Sequence, residues 1–152
     1  MSYKCELKEQ PARPTMAIRT RAAVEDLPRV LGEVYGTIAQ YLGELGEQPV
    51  GPPFTAYYNM DMQDLDVEIG FPVARELPGR GDIQASEIPG GKVATCLYTG
   101  PYSDMEPAYD ALFQWMEEND YEASGVCYEI YLSDPEEVPP EEWQTQIVFP
   151  LK

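Results

Sequence analysis

The residue of this sequence with the clearest capacity for chemistry is Glu129, an acid within a run of apolar and aromatic residues. Residues 127–132 read Cys-Tyr-Glu-Ile-Tyr-Leu, a composition typical of a β-strand. Because alternate side chains of a strand share a face, we expect Glu129 to lie on one face with Cys127 and Tyr131. The other face, which we expect to point toward the helices, carries Tyr128, Ile130 and Leu132.

Two settings for the Glu129 carboxylate are compatible with the composition. In the first it lies in a pocket, where burying a charge without a partner is costly. Tyrosine hydroxyls can hold it there by hydrogen bonds, and a cationic ligand can hold it better, since each well-placed aromatic ring adds about 0.5–2 kcal/mol to cation binding. In the second setting Glu129 lies on an exposed edge, solvated or paired with an Arg or Lys side chain.

An internal repeat favours the pocket. Segment 35–57 aligns without a gap on segment 109–131, and a Phe-Pro pair closes each copy, at 71–72 and at 149–150. The repeat matches Tyr35 with Tyr109 and Tyr57 with Tyr131, whereas Thr55 of the first copy stands opposite Glu129 of the second. Two similar halves that pack about a pseudo-twofold axis leave a groove between them, and this difference places a single acid in it.

The repeat also predicts which other side chains share the groove. The strand that matches residues 127–132 contributes Thr55 and Tyr57, and neighbouring strands offer further aromatic rings. The expected ligand-binding set is therefore Glu129, Tyr131, Tyr57, Thr55, Tyr98, Phe71 and Trp143.

Hydrophobic periodicity predicts the elements that position these residues. Apolar residues at three-four spacing predict helices over 27–45, capped by Asp26, and over 105–119, preceded by a Ser103–Glu106 capping box. We expect Tyr109, Phe113 and Trp115 of the second helix to lie in the core. Alternating patterns predict strands at 3–8, 16–20, 54–59, 66–73, 82–88, 92–99, 126–132 and 143–149.

This order of elements indicates an α+β fold, in which a strand-helix-strand-strand unit occurs twice. Antiparallel sheets carry the helices on their outer side and leave the ligand groove between the halves. The length of 152 residues suits a single domain, with halves of about 1–78 and 79–152 joined at the Pro- and Gly-rich segment 77–81.

Composition narrows the possible functions. The chain has no histidine and three cysteines without metal-site spacing, so we expect neither a metal nor a cofactor. A net charge of −17 argues against direct nucleic-acid binding and favours cationic ligands or a basic protein partner. With no apolar run long enough to cross a bilayer and no apolar signal region, we expect no membrane association and a cytoplasmic location.

Several short segments together resemble a known family. They are Tyr128-Glu129-Ile130-Tyr131-Leu132, Asp134-Pro135, Thr145-Gln146-Ile147-Val148-Phe149-Pro150, Gly100-Pro101-Tyr102 and Tyr57-Tyr58. Over nearly its whole length the chain resembles the gyrase-inhibitor-like, or effector-binding, small-molecule-binding domains. It is similar as well to the drug-binding half of bacterial multidrug-sensing transcription regulators.

The resemblance implies a duplicated fold in which Glu129 is the pocket acid that meets hydrophobic, aromatic and often cationic compounds. Because the first strand starts at once, we expect a stand-alone binding protein. The resemblance also implies an alternative, a hydrolase that opens cyclopropane rings of DNA-alkylating natural products, with Glu129 as general base assisted by Tyr131. A third hypothesis is an acidic module that engages gyrase or another basic protein.

Overall fold

The computed structural model describes residues 3–59, 61–101, 104–133 and 137–152. Within these ranges the chain forms two α-helices, α1 (Leu27–Glu44) and α2 (Glu106–Glu118). It also forms eight strands: β1 (Cys5–Gln10), β2 (Arg13–Ala22), β3 (Phe54–Tyr57), β4 (Leu65–Pro72), β5 (Ile83–Ile88), β6 (Gly91–Thr99), β7 (Cys127–Tyr131) and β8 (Gln144–Pro150). The predicted α+β class with antiparallel strands is confirmed. Ser103 of the expected capping box and the Asp134-Pro135 pair lie outside the described residues.

Residues 11–90 form one compact unit, which we call the 11–90 unit. Its strands pair antiparallel in the order β3-β4-β2-β5, and α1 packs against β4 and β2. The pairing of β3 with β4 sets Thr55 opposite Ile69. Burial of apolar side chains from α1 and the sheet supplies the main stabilising term, and these side chains include Met16, Leu27, Ile38, Tyr41, Leu42, Leu65, Val67 and Ile69.

Residues 1–10 and 91–152 form the second compact unit, which we call the 91–152 unit. Its strands pair antiparallel in the order β1-β6-β8-β7, and α2 contacts β6 and β1. The pairing of β7 with β8 sets Glu129 opposite Ile147. The buried apolar side chains of α2 are Ala108, Leu112 and Met116.

The two units share their order of elements, since β2-α1-β3-β4 and β6-α2-β7-β8 both run strand, helix, strand, strand. One further strand completes the sheet of each unit, and in both cases this strand comes from the half of the sequence that was assigned to the other unit. β1 pairs with β6 and β5 pairs with β2, so the units divide near residues 10 and 90 rather than at 78. Backbone pairing sets this division, whereas the Pro- and Gly-rich segment 77–81 marks only a turn.

The helices bury the predicted stripes but not every predicted residue. Asp26 stands at the N-cap of α1, but its side chain makes no capping hydrogen bond. In α2 the expected core role of Phe113 is wrong, because its side chain is 41% exposed, and Tyr109 and Trp115 are only half-buried. No helix in the described part of the chain is long and apolar enough to cross a bilayer.

The close approach of β2 to β4 gives a test of this packing. A Cβ atom added at Gly70 would lie 2.2 Å from the Met16 carbonyl oxygen and 2.8 Å from the Ala17 Cβ. We expect Gly70→Ala to lower the free energy of unfolding by about 1–3 kcal/mol or more, because the backbone must shift. Urea denaturation measures the change.

Gly36→Ala is the matched control, because an added Cβ at this exposed helical position meets no atom within 4 Å. It should raise the free energy of unfolding by about 0.5–1 kcal/mol, since Gly is a poor helix former. Equal effects of the two substitutions would contradict the close strand contact at Gly70.

Candidate functional site

The Glu129 carboxylate lies near the middle of β7 and is only 8% exposed. The Tyr131 hydroxyl donates a hydrogen bond of 2.9 Å to Oε1. The Tyr109 hydroxyl, from α2, donates a short hydrogen bond to Oε2. Hydrogen bonds to an ionised acceptor are stronger than neutral ones, so the two phenols partly replace the water that burial removes. Burial of Glu129 contradicts the solvated setting on an exposed edge, whereas the pocket setting stays a prediction.

The face of β7 that carries Glu129 is the face that contacts α2. Both Glu129 and Cys127 bond to Tyr109, which belongs to that helix. The expectation that the opposite face, with Tyr128, points toward the helix is thus wrong. Both faces of residues 127–132 are rich in apolar and aromatic side chains, so the alternation alone could not identify the covered face.

Cys127 lies next to the acid and shares its phenol partner. Its Sγ donates a weak hydrogen bond of 3.7 Å to the Tyr109 hydroxyl. Burial raises the pKa of the Cys127 thiol, the Tyr109 hydrogen bond partly offsets that rise, and the negative charge of Glu129 adds to it. The thiol therefore stays protonated near neutral pH, which makes it a poor nucleophile or metal ligand.

An aromatic cluster extends from the acid toward the surface. The ring of Tyr109 meets that of Phe149 edge-on at 6.2 Å and lies 6.4 Å from that of Phe113. The rings of Phe113 and Phe149 are 5.0 Å apart. Because Phe113 is exposed and Tyr109 bonds to Glu129, the cluster links solvent to the buried carboxylate through ring faces and edges.

Two more predicted residues belong to the same unit. Strand register aligns Tyr131, Thr145 and Tyr98 across β7, β8 and β6, so Tyr98 shares the sheet face of the acid. Its hydroxyl donates to the carbonyl of Pro101 at 2.7 Å. Trp143 directly precedes β8, is half-buried, and donates from Nε1 to the Val138 carbonyl at 3.0 Å.

The fully buried hydroxyl of Thr145 lies between Tyr131 and Tyr98 in this register. Thr145 Oγ1 and Thr15 Oγ1 are the buried side-chain oxygens of the described residues that have no hydrogen-bond partner. Such a group costs free energy, so Thr145 offers a polar contact on the face that carries Glu129.

The remaining predicted residues lie in the 11–90 unit, where a matching arrangement occurs. The Tyr35 hydroxyl donates to the Phe54 carbonyl at 2.8 Å and lies 3.4 Å from Thr55 Oγ1. The rings of Tyr35 and Phe71 are 5.2 Å apart, and Tyr57 is half-buried against the core. Each unit thus contains a helix tyrosine that contacts both a strand residue and the phenylalanine of its Phe-Pro pair. The strand residue is Thr55 in this unit and Glu129 in the other.

Sequence reasoning missed Tyr109, which it assigned to the core. A usable signal exists, because the repeat pairs Tyr35 with Tyr109 and Thr55 with Glu129 at the same separation along the chain. A tyrosine present in both copies at the same separation from this strand position is consistent with contact between the two. Among the described residues no cluster of three or more Cys, Asp or Glu side chains could hold a metal ion.

Comparisons with known proteins identify a family and agree with the fold. The family model described as GyrI-like small molecule binding domain matches residues 3–152. No curated protein matches the chain. The C-terminal domain of EcmrR is 24% identical with a TM-score of 0.84, and the match covers 100% of this chain and 99% of that domain.

Two further solved structures extend the comparison. The EcmrR chain of an EcmrR–DNA complex is 25% identical with a TM-score of 0.87; the match covers 99% of this chain but 57% of that one. This chain therefore spans a little over half the length of that EcmrR chain. A hydrolase from Listeria innocua, 16% identical with a TM-score of 0.70 over 98% of this chain and 92% of its own, shares the fold.

The two equivalent tyrosines give a test of the charged hydrogen bond. Tyr109→Phe removes a donor from a buried carboxylate, so we expect the free energy of unfolding to fall by about 1.5–3 kcal/mol. Tyr35→Phe removes a donor from a neutral carbonyl, and the fall should be about 0.5–1.5 kcal/mol. Urea denaturation of both variants measures the difference, and an equal or larger loss for Tyr35→Phe would contradict it.

Proposed function

Because the chain belongs to the family of GyrI-like small-molecule-binding domains, we propose that Glu129 is the charged group of its ligand site and that its preferred ligands are amphipathic organic cations. The observation that carries the proposal is a buried carboxylate whose two oxygens each accept a hydrogen bond from a tyrosine. The site residues, the ligand charge and the uptake of such compounds are all part of the proposal.

Phenol donors are well suited to a carboxylate that binds a cationic ligand only part of the time. Neutral hydroxyls satisfy its oxygens while leaving its negative charge in place, so the charge is available to a ligand. Tyrosine hydroxyls can rotate and give up one hydrogen bond without breaking the strand or the helix. A ligand cation then gains a charge pair in a site with little competing water.

The aromatic cluster supports the same ligand class. Tyr109, Phe113 and Phe149 present ring surface beside the carboxylate, and ring faces attract cations. Exposed Phe113 supplies apolar surface for the body of the ligand, which favours a bulky lipophilic cation over a small ammonium ion. The net charge of −17 raises the local concentration of cations around the protein.

The interpretation of the repeat as an internal duplication belongs to this proposal. Its support is local, because Tyr35, Thr55 and Phe71 make contacts in their unit that resemble those of Tyr109, Glu129 and Phe149 in theirs. Under this interpretation the predicted groove residues Thr55, Tyr57 and Phe71 are neutral counterparts of the acidic site. The pseudo-twofold groove itself stays a prediction.

Two ions of nearly identical shape test the charge preference. Tetraphenylphosphonium is a lipophilic cation, and tetraphenylborate is its anionic counterpart. We expect calorimetry to show binding of the cation and much weaker binding of the anion. Glu129→Gln should weaken cation binding roughly thirtyfold or more, because loss of one partner of a desolvated charge pair costs at least about 2 kcal/mol.

Glu68→Gln is the matched control, since Glu68 is a half-buried strand acid in the other unit and accepts a hydrogen bond from Tyr58 at 3.2 Å. It removes the same charge and the same kind of tyrosine contact, and binding should stay within about twofold of the wild type. Equal losses from the two variants, or preference for the anion, would reject the role of Glu129.

A hydrolase is the second candidate, supported by the proximity of an acid and two phenols. Glu129 would take a proton from water as the water oxygen bonds to a cyclopropane carbon, and the ring carbon–carbon bond at that atom would break. Its electron pair would pass to a carbonyl oxygen conjugated with the ring, which would take up the proton, while Tyr131 orients the substrate. The carboxylate already accepts two hydrogen bonds, which compete with a water molecule for its oxygens, so binding is the first proposal. A cyclopropane-bearing alkylator incubated with the protein should then gain the mass of one water, whereas with Glu129→Gln it should not.

A further inference from the structure

A groove in the 11–90 unit is lined by residues that do not belong to the proposed site. It has a volume of about 630 Å³ and runs between one side of α1 and the turn that leads into β5. Its apolar wall consists of Ile18, Val34 and Ile83. The volume falls within the range of small-molecule pockets, about 300–1,000 Å³, and the lining residues do not include Glu129, Tyr109 or Tyr131.

The groove already holds a cation that belongs to the protein. The guanidinium carbon of Arg80 lies 4.2 Å from the centroid of the Tyr41 ring. The same guanidinium donates a short hydrogen bond to the Glu44 carboxylate. A ring face and a carboxylate are thus arranged around one flat, positively charged group.

The Tyr41 ring and the Arg80 backbone are fixed, whereas both side chains of the ion pair are exposed. Tyr41 is 6% exposed and its hydroxyl donates to the Pro78 carbonyl at 2.5 Å. The Arg80 backbone is held by reciprocal hydrogen bonds with Ile83, of 2.9 and 3.0 Å. The side chains of Arg80 and Glu44 are 58% and 52% exposed, and such exposed ion pairs contribute little stability, so another cation can displace Arg80.

The charge of the groove wall is negative even with Arg80 in place. Glu33, Glu44 and Asp82 line the groove together with that one arginine. Glu33 pairs with Arg29 at 3.2 Å, whereas Asp82 is exposed and has no ion pair within the part of the chain that the structure describes. An incoming cation therefore meets unneutralised acid at the rim and an aromatic ring at the base.

We propose that this groove is a second ligand site, which takes flat organic cations such as aryl amidines and guanidines in place of the Arg80 guanidinium. The amidinium stacks on Tyr41 and donates to Glu44, and the aryl body covers the apolar wall. The proposal is independent of the role proposed for Glu129.

A fluorescent aryl amidine, 4-aminobenzamidine, tests the site with the full chain. Its uncharged analogue 4-aminobenzamide controls for charge. We expect the amidine to bind the wild type and the amide to bind much more weakly. Arg80→Ala should tighten amidine binding roughly threefold or more, because it removes the competing internal cation.

Glu44→Gln should weaken amidine binding by a similar factor, and Asp82→Asn should weaken it to a smaller extent. In the Glu129→Gln background, where the first site lacks its charge, amidine binding should persist and should keep the same dependence on Arg80 and Glu44, which separates this site from the first. Circular dichroism confirms that each variant folds, as expected for substitutions of exposed side chains.

Weaker or unchanged binding in Arg80→Ala, or no effect of Glu44→Gln in a folded protein, would overturn the proposal. Loss of amidine binding in Glu129→Gln would also overturn it, because the amidine would then occupy the other site. The proposal would also be overturned if neither the wild type nor Arg80→Ala bound the amidine.

Discussion

The hydrogen bonds from Tyr109 and Tyr131 to the Glu129 carboxylate are the interaction on which the 91–152 unit depends. A buried carboxylate is tolerated only when its oxygens have donors, and one of the two donors comes from a different element. The orientation of the acid and the position of α2 on the sheet are therefore set together. Any movement of the helix along β7 would leave the charge without one of its partners.

The same framework occurs in the 11–90 unit without the charge. Tyr35 reaches from α1 toward β3, donates to a backbone carbonyl and passes close to Thr55. A threonine at this position makes few demands on its surroundings, whereas a glutamate requires two donors. One residue difference between these two similar arrangements therefore separates a neutral contact from a buried acid.

Sequence patterns predicted the elements well because helices and strands bury residues with different periods. The stripe from Leu27 to Leu42 and the alternation around Glu129 each indicated the correct element. Two features were beyond such reasoning. The face of β7 that contacts α2 could not be identified because both faces carry apolar and aromatic side chains. The hydrogen bond from Tyr109 to Glu129 could not be predicted because it joins a helix to a strand and does not depend on the sequence neighbours of Tyr109.

The exchange of outer strands was equally invisible in the sequence, because β1 has no local signal for pairing with β6. This exchange has a consequence for synthesis of the protein. During synthesis β1 is made before its partner β6, and residues 11–90 separate the two strands. The 11–90 unit can close during that time, with β1 still unpaired. The 91–152 unit is therefore complete only when β6 pairs with the earlier strand, and protection of β1 from aggregation or proteolysis becomes part of efficient folding.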